Sequence, residues 1–131
     1  MANESVEAFK RSVREIPEAM KARVIPELWR QANRLADEMR SQVRVGGADD
    51  RHAGATRNSI RVIPGERDTR IYVVAGGPPT TVNGYDHVMA EEYGTQKMTA
   101  VPFFWPSYRR LKASMLAAIK NAMNLKRANW G

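Results

Sequence analysis

The 131-residue chain contains no cysteine, which excludes disulfides and thiolate chemistry and leaves the compartment open. No apolar run approaches the roughly 20 residues that a membrane-spanning helix needs, so no membrane span is expected. The start, Met1-Ala2-Asn3-Glu4-Ser5, has neither the basic region nor the apolar core of a secretory leader, so the chain is expected to fold where it is made. Neither Gly-x-x-x-x-Gly-Lys nor Gly-x-Gly-x-x-Gly occurs, and Gly76-Gly77 runs directly into Pro78-Pro79, so no phosphate-cradling loop is expected. Ser59, Ser107 and Ser114 lack any Gly-x-Ser-x-Gly elbow around them, so no nucleophilic triad can be argued.

Acidic side chains are missing from residues 99–131, which carry six basic ones. Residues 1–50 balance at nine of each sign, and residues 85–98 hold three acidic against one basic. The net charge of +7 is therefore concentrated at the end of the chain. Such a segment meets an acidic protein surface, phosphate or water.

What is present reads as one α+β domain over residues 1–131, the size of a single hydrophobic core. Val6, Phe9, Val13, Ile16, Met20, Val24 and Leu28 recur at steps of three or four, and Leu35, Met39 and Val43 continue the series. That spacing predicts a long amphipathic N-terminal helix. Pro17 and Pro26 each remove an amide donor and are expected to kink or split it. Charged pairs such as Glu7 with Arg11 and Glu27 with Arg30 mark the exposed face.

Residues 46–56 and 76–84 are glycine-rich and aperiodic and predict flexible loops. Between them, 58–64 and 69–75 are rich in Ile and Val and flank Gly65-Glu66-Arg67-Asp68, a hairpin signature that predicts a small antiparallel sheet. A short element, helix or strand, follows from Tyr85 to Tyr93. After Pro106, the series Tyr108, Leu111, Met115, Ile119 and Met123 predicts a C-terminal helix packed on the sheet, with the tail 124–131 frayed. At 100° per residue, Arg109, Lys120 and Arg127 fall on one flank of that helix as a basic stripe.

Two further chemistries have footholds. His87 and Glu91, with Asp86 and Glu92 nearby, would share a helical face and begin a zinc site, with His52 beside Asp49 and Asp50 as the only source of a third ligand. Arg57, Arg61, Arg67 and Arg70, the C-terminal stripe, and Tyr72, Trp105 or Trp130 as stacking rings outline a basic nucleic-acid-binding module. The bland readings, a surface acidic patch and a solvated basic face, compete with each.

The densest block of signals is Glu92-Tyr93-Gly94-Thr95 followed by Pro102-Phe103-Phe104-Trp105-Pro106. Gly94 is expected at positive φ. Phe103 and Phe104 are expected inside, and Trp105 is expected to face a neighbour. Together with Gly54-Ala55-Thr56-Arg57-Asn58-Ser59-Ile60 leading into the first strand, this block resembles the neck or tail-completion proteins of long-tailed siphophages and their prophages. The resemblance covers residues 54–123 and is organisational, with two local motifs.

The resemblance implies a structural, non-catalytic head-tail joining subunit without a cofactor. It further implies a homo-oligomeric ring, a hexamer, that meets head-closure or connector proteins and tail proteins close to phage DNA. Its place would be the virion neck, after a period in the host cytoplasm. Under this reading the assembly candidates are Glu92, Tyr93, Gly94, Thr95, Trp105, Arg109, Lys120 and Arg127. The acidic block 86–92 and the basic last helix are expected to pair between neighbouring subunits.

Overall fold

The computed structural model describes residues 18–43, 53–82, 84–96, 100 and 102–130. The first part of the N-terminal series, the Pro17 kink, His52, Asp49 and Asp50 lie outside them, as do the side chains of Glu91, Arg127 and Trp130. The architecture is α+β: a long helix α1 (Glu18–Gln42), a two-stranded antiparallel sheet, and a C-terminal helix packed on α1 and the sheet.

Helix α1 continues without a break through Pro26, where the sequence predicts a kink or split. Its apolar stripe is the buried face: Met20, Val24, Leu35, Met39 and Val43 are all in the core. A short helix α2 (Ala53–Ser59) then occupies positions expected to be loop and strand. It is too brief to display a helical period, and it is held by its own polar groups. The Ser59 hydroxyl donates to the Thr56 carbonyl at 2.7 Å and accepts the Gly76 amide at 2.9 Å.

Strands β1 (Arg61–Pro64) and β2 (Ile71–Val74) pair with Arg61 opposite Val74 and Pro64 opposite Ile71. The hairpin closes where the Gly65 amide donates to the Arg70 carbonyl at 2.7 Å. A Cβ on Gly65 would stand 2.8 Å from that same oxygen, so the close approach requires glycine. Val62 and Val73 face the core, while their alternates Ile63 and Tyr72 form an exposed cross-strand pair on the outer face.

Short elements occupy much of 76–84, the stretch expected to be a loop. A turn of 3-10 helix (Pro78–Thr80) leads into a two-residue ribbon of β3 (Thr81–Val82) and β4 (Tyr85–Asp86), and α3 (His87–Tyr93) follows at once. The last helix, α4, runs Phe104–Trp130. It lies antiparallel to α1. Arg34 donates to Ser114 at 2.8 Å, Glu38 pairs with Arg110 one turn on, and Met20 and Val24 meet Ile119 at the far end. The main core gathers Leu35, Ala36, Met39 and Val43 against Ile60, Val88, Phe103 and Met115.

Candidate functional site

Helix α4 begins without a capping side chain of its own. Phe103 stands at the N-cap position, where Ser, Thr, Asp or Asn normally accepts the first amides. Four N–H groups at a helix start have no intrahelical partner. Here three of them converge on one carboxylate. Phe103 and Phe104 donate to Glu92 Oε1 at 2.9 Å each, and Trp105 donates to Glu92 Oε2 at 3.1 Å. The fourth position is Pro106, which has no N–H to satisfy. Glu92 is 7% exposed, so the negative charge sits buried against the positive end of the helix dipole.

Glu92 comes from α3, whose end is fixed by Gly94. That residue has φ 78°, and its amide donates to the Ala90 carbonyl at 2.7 Å. The positive φ predicted for Gly94 is thus present, and it ends α3 in a conformation that side-chain-bearing residues resist. The Gly94 turn and the proline-bracketed aromatics are two halves of one clasp, with Glu92 as the bolt.

Around the clasp the aromatics divide. Phe103 is 1% exposed and lies in the core, and Phe104 is half-buried. Trp105 is 42% and Tyr93 61% exposed. These two rings are joined by a 2.7 Å hydrogen bond from the indole Nε1 to the Tyr93 hydroxyl. Trp105 also meets Phe104 and Tyr108 edge to face, at centroid distances of 5.0 and 5.9 Å. Met89, one turn before Tyr93 on α3, is exposed as well. Behind these side chains a cavity of about 240 Å³ opens toward Val73, Val74 and Ala75 at the end of β2. The result is a braced surface of Met89, Tyr93 and Trp105.

The remaining candidates fall elsewhere. Thr95 is exposed just past the turn, and Arg109 and Lys120 are exposed on α4. The backbone of α4 is helical past Arg127, so the basic stripe has a continuous scaffold. Glu92, expected among the assembly candidates, is buried, with its carboxylate engaged by the three amides of α4. A second member of the acidic block, Asp86, is half-buried and also engaged within the chain. Asp86 caps α3, accepting the Val88 amide at 3.0 Å, the Gly77 amide at 2.9 Å and the Thr80 hydroxyl at 2.7 Å.

Burial pushes the Asp86 carboxyl up, but those donors outweigh it and hold its pKa below the ordinary 3.8. Two carboxylates of the 86–92 block, Asp86 and Glu92, thus each cap a helix of their own chain. Glu27, read as part of an exposed charged face, is also mostly buried and binds both Arg30 and Gln31. Among the described residues, no three His, Asp or Glu side chains gather in a metal-holding group. Tyr72, the strand ring offered for stacking on bases, has its hydroxyl on Glu66 at 3.0 Å.

Sequence reasoning did not find the Glu92 cap, yet its signal is present. A helix start with no polar residue at the cap and a proline in its first turn calls for an acceptor from elsewhere in the chain. No family model, curated protein or solved structure matches the chain.

Proposed function

We propose that this protein is a structural, non-catalytic subunit of a phage or prophage neck that joins head to tail by assembling into an oligomeric ring. The surface of Met89, Tyr93 and Trp105 is one of its contact faces. The reading is supported by the motif resemblance and carried by one observation. Tyr93 and Trp105 stand exposed, hydrogen-bonded to each other, over a buried clasp that fixes both helices bearing them. Rigid Trp and Tyr side chains lose little freedom on docking and dominate the energetics of many interfaces. The Glu92 cap supports this contact model, because the carboxylate ties α3 to the start of α4 beneath the two rings.

Sedimentation velocity and negative-stain imaging of the purified protein, alone and co-expressed with its neck partners, test the proposal. Trp105→Ala is expected to weaken assembly about tenfold or more while shifting thermal unfolding by only a few degrees. Unchanged assembly, or a variant that unfolds outright, would place Trp105 in the wrong role. Genes for capsid, portal or tail proteins are expected beside its own. The alternative, a basic nucleic-acid-binding module, draws on exposed Arg109 and Lys120 along one continuous helix. It predicts salt-sensitive duplex binding by a monodisperse monomer.

A further inference from the structure

Bordering the aromatic surface, α1, α4 and the hairpin enclose an open groove of about 550 Å³. Its walls are apolar: Leu28 and Leu35 from α1, Ile71 and Val73 from β2, Met115 and Leu116 from α4. Among the described residues, three charged side chains line it, Arg67, Arg70 and Lys112, and all three are cations. Arg70 is shared with Glu66 at 3.5 Å. Arg67 makes no ion pair among the described residues, and Lys112 lies over the Tyr108 ring, 5.9 Å from its centroid. Asp68 belongs to the same turn as Arg67 but does not line the groove.

We propose that this groove receives an amphipathic helix of a different protein, its apolar row in the slot and its carboxylates against Arg67 and Lys112. The dimensions fit a helix. Along α4 the lining runs from Tyr108 to Ile119, about three turns or roughly 16 Å. That length matches one row of side chains at i, i+4, i+7 and i+11 of a docked helix. The charge fits an acidic partner and disfavours a second copy of this chain. Residues 1–17 balance three acidic against three basic side chains, α4 has no acidic residue, and the chain as a whole carries +7. This face does not depend on the neck assignment.

A fluorescein-labelled peptide of about sixteen residues, with leucine at the four spaced positions and glutamate on both flanks, probes the groove by anisotropy. One control scrambles its order, and a second replaces glutamate by lysine. The patterned acidic peptide is expected to bind in the micromolar range, about tenfold or more tighter than either control, and to weaken with salt. Arg67→Glu with Lys112→Glu is expected to reverse the preference toward the lysine peptide. Leu116→Glu is expected to abolish binding of both, with circular dichroism unchanged. Equal binding of the scrambled peptide, equal binding of the lysine peptide, or no binding at millimolar concentration overturns the proposal. Should Leu116→Glu fail to fold, the double charge reversal remains decisive, because Arg67 is on an exposed turn and Lys112 is outside the core.

Discussion

At the scale of single residues, two carboxylates that look like surface charge hold the backbone together. Glu92→Ala leaves three amides without their shared acceptor at a site shielded from water. From the cost of lost caps and of lost charge-assisted hydrogen bonds, a destabilisation of about 3 kcal/mol is expected in urea unfolding. Glu92→Gln keeps one acceptor oxygen and is expected to lose about half as much.

Asp86 adds a pH dependence whose sign follows from its depressed pKa. A carboxyl held below its unfolded value stabilises the fold fully above that value and loses the contribution as pH falls through the folded one. Unfolding free energy is therefore expected to drop from about pH 4 downward, and to drop less steeply in Asp86→Asn. Neither role was legible from spacing. Asp86 is nine residues beyond Gly77 and Glu92 eleven before Phe103, and no local pattern announces an acceptor that reaches that far along the chain.

At the scale of elements, the long helices and the hairpin were legible because their hydrophobic period repeats often enough to exceed chance. Met20, Val24, Leu35 and Met39 on α1, Val43 just past its end, and Met115 and Ile119 on α4, are buried as their spacing predicts. The short elements were not. Helix α2 and the Thr81–Val82 ribbon are fixed by Ser59, Thr56 and Asp86, single polar side chains whose partners are known only once the chain is folded. The start of α4 was displaced for the same reason: Pro106 suggests a beginning at Ser107, whereas the Glu92 cap allows the helix to begin at Phe104. Amide exchange gives a direct check. First-turn amides of a helix ordinarily exchange quickly, but those of Phe103, Phe104 and Trp105 are expected to exchange only when α3 parts from α4. Glu92→Ala should bring all three to rapid exchange together.

At the scale of the whole molecule, the engaged carboxylates alter what the net charge of +7 means. With Glu92 buried and Asp86 engaged in its cap, the face presented to other molecules is more basic than the sequence count conveys. Under the ring proposal, copies carrying this charge are expected to repel at low salt, and assembly through apolar rings is expected to strengthen as salt screens that repulsion. Binding to a nucleic-acid duplex has the opposite sign, weakening as salt rises. A salt series followed by sedimentation, with and without duplex DNA, separates the two readings by direction alone.

The Glu92 clasp also has a mechanical side. Amides in a helix's first turn point along the helix axis, so the three bonds to one carboxylate lie nearly parallel to α4. Tension applied along that helix, about 40 Å from end to end, loads the three bonds side by side instead of opening them one after another. A joint built this way resists axial pull with its full strength until it fails all at once.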